Sequence, residues 1–369
     1  WAPNLVNLSR AQRALAMAGL TQRDARATAA QTLFSRYQAA RLAALDQANA
    51  VTGLSLAQTR LSVAQRQQAA GTATADQVNT ALQNLASAQS SATTASATLA
   101  SARQNLAASL GLATTDALPD LSGPPAAPAE LSGAPDALVT LALANRADVA
   151  QARANLLNAQ DALAAAQRDR TFPASSAGLS VSNADLGRVG STLDFKNGTL
   201  SLSGTWNAMN TNSASSGTST TAAGTSVTAS ASVSFPLISP AGDASVASAQ
   251  AGVRSAQLAL AAAEKSAELA VRSSAAAVTN ARAALNAANA SATTARQALA
   301  TAQSRLKAGT GTALDVTAAT QTSAQAARDL EAATWNLTTA ILNEYAATGT
   351  FALTPQGQIV LNGQPWEAP

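Results

Sequence analysis

Side chains able to do chemistry are few and scattered in this chain. Carboxylates recur on two stretches of helical spacing, Asp161 and Asp169 on one, Glu264 and Glu268 on the other. Such groups could serve general acid–base catalysis. Their spacing gathers no convincing cluster, and solvation of a helix surface accounts for them. An Arg-x-Asp pair, Arg146 and Asp148, opens another helical stretch and reads as a helix-start contact. There is no Cys and no His, which excludes disulfides, thiol catalysis, Cys/His zinc sites and imidazole acid–base chemistry. No catalytic residue, cofactor site or metal ligand set is therefore assigned, and the chain is read as no enzyme.

What the sequence does repeat is a turn between two long helical runs. Ala308–Val316 reads A-G-T-G-T-A-L-D-V, and Ala70–Val78 reads A-G-T-A-T-A-D-Q-V. Gly309 follows Gly71 by 238 positions, as Val316 follows Val78 and Gly349 follows Gly111. From turn to closing glycine the two copies align without insertion or deletion. In each, a glycine suited to the left-handed conformation ends the first helix. Thr74 with Gln77, and Thr312 with Asp315, then read as N-cap and N3 of the next, and the Asp315 charge also suits a helix N-terminus. At 1.5 Å per residue, helices over Thr74–Leu110 and Thr312–Thr348 would each be roughly 55 Å long.

Composition suits such helices. Of 369 residues 47% are hydrophobic but only 3% aromatic and 12% charged, poor material for a thick core and good material for closely packed Ala-rich helices. A net charge of +3, with no basic run interleaved with aromatics, gives nucleic-acid binding little support. No window of some 18 apolar residues predicts a transmembrane helix. No secretory signal is evident, and the abrupt opening at Trp1 is read as a mature or trimmed form.

In chain order, 1–111 forms a first repeat: the end of an extended segment over Trp1–Asn7, with Pro3 opposing helix, then the hairpin turning at 70–78. Leu33, Tyr37, Leu42 and Leu45 form a narrow packing stripe on its first helix. A Pro/Gly-rich linker over 112–135 separates the repeats. The second repeat, 136–349, holds a helix over 136–170, a strand region over 173–238, and a hairpin over 243–348 turning at 308–316. Within the strand region, Leu179 and Val181, Leu200 and Leu202 up to Trp206, and Val227, Val233 and Phe235 alternate with small or polar residues. These predict three strands facing two environments. Asn183–Asn197 reads as turn, Asn207–Gly224 as an exposed mobile loop, and 350–369 as a tail. The fold class is mainly α with a small β part.

This order resembles the TolC-like outer membrane efflux protein family. The likeness rests on the duplicated turn, N-R-A-D-V at Asn145–Val149, S-F-P-L-I-S-P at Ser234–Pro240, L-G-L at Leu110–Leu112 and the closing segment Asn343–Gly349. It covers nearly the whole chain, with the N-terminal repeat lacking the helix and strand expected before Trp1. The family implies a homotrimer whose strands share one outer-membrane barrel and whose helices form a tunnel across the periplasm. Gly71, Thr72, Thr74, Asp76, Gly309, Thr310, Thr312 and Asp315 would map to the periplasmic tip, where a periplasmic adaptor protein docks. Leu179, Val181, Leu200, Leu202, Trp206, Val227, Val233 and Phe235 would face outer membrane lipid. The implied function is a passive export duct for efflux or type I secretion, driven by an inner-membrane pump. The alternative is an envelope scaffold that keeps the hairpins, assembles as another homo-oligomer and transports nothing. Barrel aromatics are sparse, with Phe172, Trp206 and Phe235 the ones near the strands.

Overall fold

The computed structural model describes residues 2–113, 121–131, 133–171, 174–183, 187–194, 199–205, 226–234 and 240–366. Among these residues six helices and seven strands follow in order. They are α1 (Ala2–Ala69), α2 (Ala75–Ser109), α3 (Pro135–Asn145), α4 (Ala147–Thr171), β1 (Ala174–Asn183), β2 (Gly187–Asp194), β3 (Thr199–Thr205), β4 (Ser226–Ser234), α5 (Pro240–Lys307), α6 (Ala313–Ala347), β5 (Phe351–Leu353), β6 (Ile359–Leu361) and β7 (Gln364–Pro365). The fold is mainly α with a small antiparallel β part, as the periodicities predict. Contacts divide it into two units, Trp1–Ala18 with Ala150–Ala263, and Gly19–Val149 with Glu264–Pro369.

In the first unit the chain is helical from Ala2, not extended. Pro3 is the second residue of α1, a position where its missing N–H has no intrahelical partner to lose. Arg13 donates to Asn158 at 3.1 Å and pairs with Asp161, while Arg170 pairs with Asp243. Among its described residues the strand region holds four strands where three were expected, in the order β3-β2-β1-β4, all antiparallel. The extra one, β2, lies inside the stretch read as turn. Phe172, Trp206, Phe235 and the expected loop Asn207–Gly224 fall outside the described residues.

The second unit holds the two turns and the largest buried side chains. Trp335 is 1% exposed and lies 5.1 Å from Phe34 in an edge-to-face arrangement and 5.8 Å from Tyr37. Ile341, Leu342 and Tyr345 extend this core toward Phe351 and Leu361 of the C-terminal strands, with Trp366 packed alongside. The expected tail thus ends in a three-stranded sheet, β5-β6-β7. Helices α1 and α6 run antiparallel in one register: Gln31 bonds Asn343, Gln38 bonds Asn336, Asp46 bonds Arg328 and Asn49 bonds Gln325. Residue numbers in each pair total 374. Two charged rungs of opposite polarity pin this register. Arg41 on α1 grips Glu331 with contacts of 2.7 and 3.1 Å, and Arg328 on α6 grips Asp46 with contacts of 2.7 and 2.9 Å. Bidentate guanidinium–carboxylate pairs of this kind set geometry as well as energy.

The linker is a strap laid across the helices. Arg41 donates to the Leu121 carbonyl at 2.8 Å, Tyr37 accepts from the Ser122 N–H at 2.8 Å and Tyr345 donates to the Ala129 carbonyl at 2.9 Å. Arg282 pairs with Glu130, and Leu131 packs into the core. Extended backbone that cannot bond to itself is satisfied here by side chains from α1 and α6, while α5 holds the strap through the Glu130 carboxylate.

Candidate functional site

Both turns are built alike. At the first, Gly71 has φ +74°, and the N–H groups of Gly71 and Thr72 donate to the Gln68 and Gln67 carbonyls at 2.9 and 2.8 Å. At the second, Gly309 has φ +70°, and Gly309 and Thr310 donate to Leu306 and Arg305 at 3.1 and 2.9 Å. The paired bonds satisfy carbonyls that the helix end would leave bare. Thr72 and Thr310 also turn their hydroxyls onto Gln67 and Arg305 carbonyls.

A reciprocal capping box then starts each following helix. The Thr74 N–H donates to Gln77 Oε1 at 3.0 Å while the Gln77 N–H donates to Thr74 Oγ1 at 3.4 Å. The Thr312 N–H and hydroxyl donate to Asp315 Oδ2 at 2.9 and 2.8 Å, and the Asp315 N–H returns a bond at 3.2 Å. These bonds, the backbone one first, hold the Asp315 carboxyl below the ordinary carboxylate range. Asp76 stands exposed in the first turn of α2. The structure thus groups Gly71, Thr72, Thr74 and Asp76 in one turn, and Gly309, Thr310, Thr312 and Asp315 in the other.

The four-stranded sheet has two chemically distinct faces. Its register stacks Ala177, Leu193 and Leu200 in one row, Leu179, Ser191 and Leu202 in the next, and Val181, Val189 and Gly204 in a third. Between them run Gly178–Thr192–Ser201, Ser180–Gly190–Ser203 and Ser182–Arg188–Thr205. Partners across a ladder share a face and successive residues alternate. Over the first three rows one face is therefore apolar except at Ser191 and Gly204, with Asn183 and Gly187 paired at its end. The other is Ser, Thr and Gly with one Arg, Arg188, and one Asp, Asp194, opposite Ser176. The apolar face is open: Leu202 is 74% exposed and Leu179 51%. On β4, Val227 is the Cα partner of Val181 and Val233 that of Ser175. The alternation reading misses Val189 and Leu193, because Gly187, Gly190 and Asp194 make their stretch look like a turn.

A third feature lies around Asn145–Val149. The expected helix over 136–170 breaks at Arg146, which is extended between α3 and α4. Arg146 grips Asp148 with contacts of 2.9 and 2.6 Å and donates to the Ala347 carbonyl at 3.2 Å. The paired guanidinium holds the Asp148 carboxyl below its ordinary value. Arg23 donates to the Asn145 carbonyl at 3.0 Å. Gly349, at φ +71°, comes so close that a Cβ there would lie 2.8 Å from the Asn145 carbonyl carbon. Arg-x-Asp is thus a clasp across the ends of α3 and α6, as the helix-start reading has it. Of the other carboxylates, Glu268 is bound by Lys265 and Arg272, and Asp161 by Arg13.

Duplicated helical hairpins joined to a two-faced antiparallel sheet are the architecture of outer-membrane channels that combine a helical tunnel with a β-barrel. Residues 138–350 match the outer membrane efflux protein family, and the chain belongs to that family. No curated protein matches it. Its fold is shared with the outer membrane protein VceC of Vibrio cholerae, at 17% identity and TM-score 0.64 over 95% of this chain and 76% of that one. The outer membrane channel CmeC of Campylobacter jejuni gives 14% and 0.63 over 95% and 68%. The Neisseria gonorrhoeae MtrE outer membrane channel, solved in its open state, gives 18% and 0.55 over 92% and 70%. Efflux and outer-membrane transport are accordingly the class of function, and family and fold are those of channels rather than enzymes.

Proposed function

We propose that this protein is the passive outer-membrane duct of a tripartite efflux or type I secretion system. The observation that carries the reading is the two-faced sheet with open edges. Among the described residues β3 and β4 each have one strand neighbour, and an edge left unpaired cannot stand in hydrocarbon, where its N–H and C=O groups would lose all partners. Copies of the chain joining β3 to β4 would close the ladder. Three copies would make a barrel with its apolar rows in lipid and its Ser/Thr/Gly face toward water. Leu179, Val181, Leu200, Leu202, Val227 and Val233 would then belong to the lipid-facing set.

The helices would reach into the periplasm, and the two capped turns would meet an adaptor coupled to an energised inner-membrane pump. Gating would be a splaying of the hairpins about their tips. Purified protein reconstituted in planar bilayers tests the duct, with stepwise ohmic conductance as the expected result. A dimer or an open sheet without conductance would favour the envelope scaffold instead. Charge reversal by Asp315→Lys is expected to alter conductance or adaptor affinity, and no change in either would remove Asp315 from the docking set.

A further inference from the structure

Charge is distributed unevenly along the hairpins. Residues 54–92 and 283–327, the stretches flanking the two turns, hold five basic residues, Arg60, Arg66, Arg296, Arg305 and Lys307, and two acidic ones, Asp76 and Asp315. The chain has 23 basic and 20 acidic residues in all, so 18 of each remain elsewhere and the whole net charge of +3 resides beside the turns. Outside these stretches many cations are matched, with Arg13, Arg23, Arg41, Arg146, Arg272 and Arg328 among those in ion pairs. Single ones without an ion pair among the described residues, such as Arg103 and Arg254, stand in segments whose charges balance overall. The five near the turns are all exposed, and none forms an ion pair among the described residues. Arg305 lies near enough to Asp315 to favour its charged form, but that carboxylate is already spent on the Thr312 N–H and hydroxyl.

We propose that the hairpin tips form a cationic docking face for a partner protein whose meeting surface is acidic. This rests on the duct reading, which directs the tips toward an adaptor. Arg66, Arg305 and Lys307 stand in the last turns of α1 and α5, where a cation also suits the helix end. Exposed charges of this kind contribute little to folding, but they steer an oppositely charged partner and reject a like-charged one. Trimerisation would concentrate the effect threefold on one rim. The tip stretches contain no aromatic residue, and Leu82 and Leu306 are their exposed large apolar side chains among the described residues. An interfacial membrane anchor needs a far larger apolar face, so an anionic lipid surface is the poorer fit.

The test uses the full chain in detergent and three probes: a synthetic helical hairpin peptide with a Glu-rich tip, the same peptide with a Lys-rich tip, and phosphatidylglycerol vesicles. Arg66→Glu/Arg305→Glu is compared with Arg103→Glu/Arg254→Glu, an equal charge change at exposed sites away from the turns. The Glu-tipped peptide should bind at least about tenfold tighter than the Lys-tipped one and weaken with salt, as steering by exposed charge requires. The tip variant should lose that preference and the control keep it. Equal binding of the two peptides, equal losses in the two variants, or tighter binding to vesicles would overturn the proposal. Conductance of the same preparations separates the two readings. A conducting protein without peptide preference sinks the docking face alone, whereas one that never conducts sinks the duct.

Discussion

Two carboxylates show how position decides what a residue does here. Asp315 is exposed and stabilised by the cap it completes, so its folded value lies below its unfolded one. Its contribution is full above the ordinary carboxylate range and fades as pH falls through the depressed value. Asp315→Ala should therefore raise amide exchange at Ala313–Thr317 at neutral pH, while Asp315→Asn, which keeps an acceptor, should largely preserve protection. Glu344 is the opposite case. It is 4% exposed and stands 238 positions after Leu106, which is 2% exposed in the other repeat. Burial raises its carboxyl above the ordinary value, so the folded state holds the proton more tightly and stability falls as pH rises through that window. Glu344→Leu should stabilise the protein near neutral pH by on the order of 1 kcal/mol, with the gain shrinking as pH drops below the carboxylate range. Melting curves at both pH values would show it, and a pH-independent gain would contradict the burial argument.

At the scale of elements, the α1–α6 seam carries the most side-chain commitment. Trp335→Ala should cost about 3–5 kcal/mol in denaturant unfolding, because its ring fills the space between Phe34 and Tyr37. Arg41→Ala and Glu331→Ala should each cost more than the ion pair alone, since Arg41 also holds the Leu121 carbonyl of the strap and Glu331 also accepts from the Trp335 Nε1–H. In the sheet, Leu200→Arg should weaken folding into liposomes by up to about 2–4 kcal/mol, and Ser201→Arg on the other face should be tolerated. Helices, turns and caps were legible in the sequence because their signals are local: a glycine, a threonine and an acceptor three residues on. β2 was not legible, since Val189 and Leu193 flank Ser191 and only the register with Leu179 and Leu202 shows that the three share a face. Pro3 misled because a proline opposes a helix interior but not its first turn. The strap and the C-terminal sheet depend on side chains distant in sequence, such as Tyr37, Arg41 and Tyr345, which no local pattern announces. At the turns the caps are local three-residue signals, whereas the five cations beside them are spread over long segments and form no local pattern.

For the whole molecule, the duplication explains a division of labour between otherwise matched hairpins. α6 carries Arg328, Glu331, Trp335 and Tyr345 and binds α1 within the chain. Its counterpart α2 has Ser90, Thr93, Ala97 and Ala107 at the positions 238 earlier, and most of its residues are exposed. A helix of that composition can approach another closely, and in the duct reading its open face would meet a second copy. In the duct reading, copies of the chain close one water-filled barrel, and bilayer recording on protein of known mass is the direct test of that closure. Uniform single-channel steps from a trimeric preparation, abolished when Leu179→Arg/Leu200→Arg/Leu202→Arg spoils the apolar rows, are the predicted result. A protein that stays monomeric or dimeric and gives no conductance in lipid would contradict it.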